Sequence, residues 1–255
     1  MGILIAVLSG LLAGLLVNYL SDVLPTQRKL VRPVCGHCGA DYTLKDYLTL
    51  NACQKCGAAR SWRTYASLVA GVGLSLALWL YPAPPLSYGL NLIVLAFFGL
   101  VIVIDLEHRL ILHMVSLAGA LLGLVVGTVR YGLVNALTGG AVGLGVMLSF
   151  YGIGILFARY RARKLGHDDG EEALGFGDVT ISAVLGLMLG WPLIMYGLLI
   201  GILAGGLISL ALMLFLMATR RYESMTVFTA YGPYLVLGAA VLLYFPQVLT
   251  IMLGK

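Results

Sequence analysis

Hydrophobic residues in this chain form long unbroken runs, and the polar residues gather in clusters between them. Eight runs stand out, at about 3–20, 65–81, 88–104, 112–129, 133–157, 178–190, 192–217 and 230–253. None alternates as a half-buried strand would, and most approach the roughly 20 residues an α-helix needs to cross a hydrocarbon core. A segment in lipid must satisfy its own backbone polar groups, so every run is predicted to be a helix. The sixth run is short and ends at Trp191-Pro192, which suits a tilted or half-inserted helix, or one fused with the seventh. The expected fold class is an all-α polytopic membrane protein of about eight transmembrane helices. Its parts are a first transmembrane helix at 1–20, a polar loop at 21–64 and a helical membrane core at 65–255.

Composition narrows the picture further. Of 255 residues, 60% are hydrophobic and only 11% charged, with a mean hydropathy of +0.98; an ordinary soluble domain carries about 25% charged residues. A soluble domain and a disordered chain are both excluded, because so apolar a sequence cannot stay solvated. The 33 glycines suit helices that pack closely within lipid.

Charge then sets the orientation. With the N-terminus outside, the cytoplasmic segments are 21–64, 105–111, 158–177 and 218–229, and 14 of the 16 Lys and Arg residues lie in them, leaving Arg130 and Lys255 outside. All 11 acidic residues fall on the same side if Asp178 stands at the cytoplasmic mouth of the sixth helix. No basic residue precedes Arg28, so the first helix is expected to be retained and not cleaved as a signal peptide. The net charge of +5 reads as topology plus contact with anionic membrane lipids, and no nucleic-acid motif accompanies it.

The loop 21–64 holds every cysteine: Cys35-Gly-His-Cys38 and Cys53-Gln-Lys-Cys56, two C-x2-C knuckles each followed by a glycine. Four thiolates at that spacing suit a closed tetrahedral zinc site, like that of a zinc ribbon. Iron has the same ligand preference and stays open as an alternative. Disulfides are disfavoured because the loop is assigned to the reducing cytosol. Four protein ligands leave no open coordination position, so the metal's role is structural.

Two acids stand at the edges of apolar runs: Asp105, after the uncharged stretch to Ile104, and Asp178, in Gly175-Phe176-Gly177-Asp178. Both are assigned to the cytoplasmic membrane face, where an ionisable residue is a functional candidate. Gly175 and Gly177 would let an extended substrate backbone approach closely. Structural roles fit as well: Asp178 as a helix cap, and Asp105 as part of a solvated cluster with Glu107, His108 and Arg109.

Taken together, the first helix with Asn18, the tetracysteine loop, Asp105-Leu-Glu-His-Arg-Leu-Ile, Gly175-Phe-Gly-Asp178-Val with Ala183-x-x-Gly186, and Tyr231-Gly232-Pro233-Tyr234 resemble the type IV prepilin peptidases. These are intramembrane aspartic proteases of the GxGD type. The resemblance implies a protease core at 65–255, with Asp105 and Asp178 as the catalytic pair and Gly175 and Gly177 beside the substrate. It implies type IV prepilins or pseudopilins as substrates, cleaved at the cytoplasmic face of the inner membrane. It also implies a second activity, methylation of the new N-terminus from S-adenosylmethionine. The acidic stretch Asp168-Asp169-Gly-Glu171-Glu172 could attract a basic leader peptide.

The chain departs from the family pattern in places. Thr180 stands where a Lys is usual, Leu112 where a Pro is expected, and Asp22-Val-Leu-Pro25 where Tyr-Arg-Leu-Pro is common; the interval between the cysteine knuckles is also short. None of these changes removes an acid or a metal ligand. A presenilin-like protease would have Tyr at position 104 and a Pro-Ala-Leu motif, and this chain has Ile104 and no such motif. A transporter or scaffold with a metal-stabilised loop is the reading from another functional class.

Overall fold

The computed structural model of the protein describes residues 2–165, 175–218 and 230–248. Among them are nine helices: α1 (Gly2–Gln27), α2 (Leu44–Leu48), α3 (Trp62–Leu80), α4 (Tyr88–His108), α5 (His113–Tyr131), α6 (Leu133–Leu165), α7 (Phe176–Leu189), α8 (Leu193–Ala218) and α9 (Gly232–Tyr244). Each of the eight apolar runs has become a helix, and α2 lies within the polar loop. Six helices are long and apolar enough to cross a membrane; α7 and α9 are shorter. This is a multi-pass, all-helical membrane protein. The acidic stretch 168–172 and the basic residues Arg220 and Arg221 lie outside the described residues.

The chain divides into two compact units, Met1–Leu112 and His113–Lys255. In the first, α1, α3 and α4 pack against one another. Helices α1 and α3 approach to backbone distance because small residues face each other: a Cβ on Gly10 would lie 2.7 Å from the Gly71 carbonyl oxygen, and one on Gly14 would lie 2.9 Å from that of Ser67. The buried surfaces are partly polar. Asn18 donates to the Thr64 carbonyl at 3.1 Å, and the Tyr88 hydroxyl lies 2.6 Å from both Ser9 Oγ and Ser75 Oγ. Large apolar side chains on α1, including Leu4, Leu8, Leu12 and Leu16, are exposed, as lipid-facing residues should be.

In the second unit α7 is the central element and packs on α5, α6, α8 and α9. Its 14 residues span only about 21 Å, less than the roughly 30 Å of a hydrocarbon core. Most of it is enclosed by protein: Val179, Ile181, Ser182, Met188 and Leu189 are fully buried, while Phe176, Gly177, Thr180, Ala183 and Leu187 are less so. A largely apolar helix packed on four others need not be long enough to span. Nor is it fused with the seventh. Gly190-Trp191-Pro192 separates α7 from α8, and the Trp191 amide donates to the Asn135 carbonyl at 3.1 Å.

Four boundaries differ from the hydropathy reading: α6 continues past 157 to Leu165, α9 stops at Tyr244 within the run 230–253, and α4 and α1 both run on. Helix α4 does not stop at Ile104 but continues through Asp105 to His108, because a helix extends past the point where its sequence turns polar as long as backbone bonds persist. It ends at Arg109, which adopts a left-handed conformation (φ 51°) and donates its amide to the Asp105 carbonyl at 2.9 Å. Helix α1 likewise runs on to Gln27, through Pro25.

Candidate functional site

The loop between α1 and α3 is built from two near-identical knuckles. In each, the first cysteine's carbonyl accepts the amide of the glycine four residues on (Gly39 to Cys35 and Gly57 to Cys53, both 2.8 Å). The first cysteine's own amide donates five residues ahead, Cys35 to Ala40 at 2.8 Å and Cys53 to Ala58 at 3.0 Å. Both turns close through a glycine in the left-handed region, Gly39 at φ +69° and Gly57 at φ +71°, where a side chain would be strained.

The knuckles face each other and bring all four sulfurs within 4.8 Å of one another. Cys35 Sγ lies 3.7 Å from Cys56 Sγ, and Cys38 Sγ lies 3.6 Å from Cys53 Sγ. Ligand bonds of about 2.3 Å in a tetrahedron put sulfurs about 3.8 Å apart, so the spacing fits a zinc ion. Electrostatics points the same way. The backbone amides of His37 and Cys38 hold the Cys35 thiol down at about 6, and those of Cys56 and Lys55 lower Cys53. At Cys56 the Ala58 amide lowers the value, but the Cys38 thiol, burial, Cys53 and Cys35 together raise it to about 12. Thiolates crowded in this way favour a divalent cation at their centre. The four cysteines could therefore hold a structural zinc.

The metal loop is clamped onto the helices by aromatic residues. Tyr47 sits edge-on between Tyr19 and Tyr42 at centroid distances of 6.2 and 6.1 Å. The Arg60 guanidinium lies 3.9 Å from the Tyr42 ring centroid and 4.3 Å from that of Tyr47. Burial, the Asp22 charge and the hydrogen bond that Tyr47 donates to Asp22 (2.6 Å) all push the Tyr47 hydroxyl above its usual range. Short helix α2 is fixed by Asp46, which accepts hydrogen bonds from Thr43 Oγ1 (2.6 Å), Gln54 (2.8 Å) and Asn51 (3.3 Å).

The two candidate acids stand in different units. Asp105 is in the last turn of α4 and only 5% exposed, whereas its neighbours Leu106, Glu107 and His108 are exposed. It is therefore not part of a solvated surface cluster. Asp178 is in the first turn of α7 and 9% exposed. The N-cap is Gly175, whose carbonyl accepts the Asp178 amide at 3.0 Å, so Asp178 is not the helix cap. A carboxylate in a first helical turn is favoured by the helix dipole.

The surroundings of Asp178 are open on the glycine side. Gly175 is exposed, and a Cβ there would lie 3.6 Å from Asp178 Oδ2, so the bare backbone leaves that carboxylate edge uncovered. Phe176 stacks edge-on with Tyr151 at 5.8 Å. Thr180 Oγ1 donates to the Gly177 carbonyl at 2.8 Å and lies 3.1 Å from Ser116 Oγ, fastening the first turn of α7 to α5. Tyr231, just before α9, is near enough to Asp178 for the two to interact electrostatically. Sequence reasoning missed Ser116 and the Arg60 and Tyr42 clamp, and took Tyr231 as part of a family signature and not as a neighbour of Asp178. Only Tyr231 carried a local signal, since it opens Tyr-Gly-Pro-Tyr.

Comparison with known proteins supplies one match. Residues 92–210, from the start of α4 into α8, match the family model described as the type IV leader peptidase family, and both aspartates lie inside that segment. No curated protein and no solved structure matches the chain.

Proposed function

We propose, on the match of residues 92–210 to the type IV leader peptidase family, that the protein is an aspartic endopeptidase whose catalytic pair is Asp105 and Asp178. Its substrates are type IV prepilin-like proteins, cleaved between a basic leader and the apolar helix that follows. The observation that carries this reading is that Asp105 and Asp178, both within the matched segment, each sit nearly buried in the terminal turn of an apolar helix. An ionisable group is rarely tolerated there without a function.

The chemistry needs only these two groups and water. Two carboxyl groups sharing one site cannot both ionise, so one proton is held between them. The ionised partner takes a proton from water, and that water attacks the scissile carbonyl. The protonated partner donates to the carbonyl oxygen and then assists departure of the amine. Gly175 and Gly177 leave room for the extended substrate strand beside Asp178. The distribution of Lys and Arg supports a cytoplasmic loop and active site in the inner membrane. A structural zinc on Cys35, Cys38, Cys53 and Cys56 would fold the loop and take no part in hydrolysis.

The test replaces each acid by its neutral isostere, Asp105→Asn and Asp178→Asn, and measures cleavage of a prepilin-like substrate by folded, membrane-inserted protein. Loss of a general acid–base partner typically removes about 10²- to 10⁴-fold in rate, so each variant is expected to lose at least a hundredfold. Near wild-type cleavage by either one removes it from the catalytic pair.

A further inference from the structure

The first unit contains an ion cluster that neither the metal loop nor the catalytic pair accounts for. Arg63 lies in the first turn of α3, and its side chain is 15% exposed. Its guanidinium reaches two other helices. Nη1 donates to Glu107 Oε2 at 2.7 Å, in the last turn of α4, and to Ser21 Oγ at 3.2 Å on α1; Nη2 donates to Asp22 Oδ1 on α1. Asp22 is held from the other side by the Tyr47 hydroxyl of the metal loop. One cation thus ties the ends of three helices together at the level of Asp105.

We propose that Arg63 is a positioning residue for Asp105, setting the rotation of the last turn of α4 through Glu107. The inference rests on the catalytic reading of Asp105. Residues two apart on a helix project about 200° apart at 3.6 residues per turn. Pinning Glu107 to one side therefore directs Asp105 to the opposite, buried side. Without Arg63, the Asp22 and Glu107 carboxylates that share its guanidinium would face each other with no cation between them. Their repulsion would rotate or splay the end of α4 and carry Asp105 with it. Arg suits the task better than Lys, since its planar fork can bridge two carboxylates at once.

The experiment compares wild type, Arg63→Met, Arg63→Lys and Glu107→Gln in the full chain, inserted in lipid vesicles. The probe is a prepilin-like polypeptide with a basic leader and an apolar helix. The readouts are kcat and KM separately, expressed per metal-loaded chain, together with metal content. A misplacement of the order of 1 Å costs up to about 10²-fold in rate, so Arg63→Met is expected to lose about tenfold or more in kcat. KM should stay within about twofold and metal at one ion per chain, and Arg63→Lys should recover part of the loss. A kcat for Arg63→Met within twofold of wild type overturns the proposal. If that variant fails to load metal, Glu107→Gln decides instead: reduced kcat with metal retained supports positioning, and unchanged kcat overturns it. Asp105→Asn, run alongside, separates the two levels. If Asp105→Asn cleaves normally, the catalytic reading has failed; if it is dead while Arg63→Met is normal, only the positioning role has.

Discussion

Helix α7 holds Asp178 and is itself held by glycines, so Gly186→Ala offers a sharp perturbation at a distance from the chemistry. Gly186 faces α6 at its closest approach: a Cβ added there would lie 2.8 Å from the Gly139 carbonyl carbon and 3.0 Å from Gly140 Cα, and would also meet the Gly139 oxygen. Ordinary van der Waals contact begins at 3.4 Å, so the two helices must part by about 0.6 Å to clear the carbon and by more to clear the oxygen. All the opposing atoms are backbone, and no rotamer change can relieve the contact. Overpacking of this kind costs about 1–3 kcal/mol, of which up to about 1 kcal/mol is offset by the better helix propensity of Ala. The melting temperature is expected to fall by a few degrees, at about 2–4 °C per kcal/mol for a protein near this size. Asp178 lies eight residues away, about 12 Å along the helix, so a shift or tilt of α7 moves its carboxyl by a comparable fraction of an ångström. Cleavage per folded molecule should then fall by about tenfold. The assay pairs thermal unfolding in detergent with prepilin cleavage. Gly145→Ala is the control: it is on α6 with nothing within 4 Å of its added Cβ, and it should leave both readouts unchanged or improve stability. A Gly186→Ala protein that melts and cleaves like wild type would refute the view that backbone contact between α6 and α7 sets the position of Asp178.

Two further outcomes concern the loop. Metal analysis of the purified protein should find one zinc per chain; a chelator, or Cys35→Ser, should remove it and with it the order of residues 33–58, since structural zinc supplies on the order of 10–16 kcal/mol to such folds. A preparation free of metal with an intact loop would contradict this. Asp46 is held below the ordinary aspartate range, first by the Thr43 hydroxyl and then by Asn51 and Gln54. A lowered carboxyl contributes stability that is complete above its unfolded value and lost as pH falls through the folded one. Asp46→Asn should therefore weaken the loop's resistance to chelator at pH 7, with the difference from wild type fading below about pH 3.8; equal resistance at pH 7 counts against the role of Asp46.

Much of this protein is determined by information that is local along the chain. Membrane character and the number of apolar helices follow from run length, because lipid imposes the same demand on every segment independently of its partners. The cysteine cluster was legible for a similar reason: each knuckle is a turn of a few residues, closed by its own amides, and the spacing C-x2-C already points two thiolates inward. Asp105 and Asp178 were visible as charges at the edges of apolar runs. Their settings were not. That Asp105 is inside α4 and Asp178 one turn into α7 depended on where backbone hydrogen bonds end, which hydropathy does not report.

Tertiary structure decided which residues meet. Arg63 finds Asp22 and Glu107 from 41 and 44 positions away, and Ser116 finds Thr180 across 64. Pairings of that kind leave no period or motif in the sequence, because each is made by helices docking and not by residues adjacent in the chain. The burial of most of α7 is of the same sort. Its composition matches that of a spanning helix, and only the four helices packed around it turn a short apolar segment into the core of a unit. Solvent preference can be read one residue at a time, whereas contact between helices needs the whole arrangement.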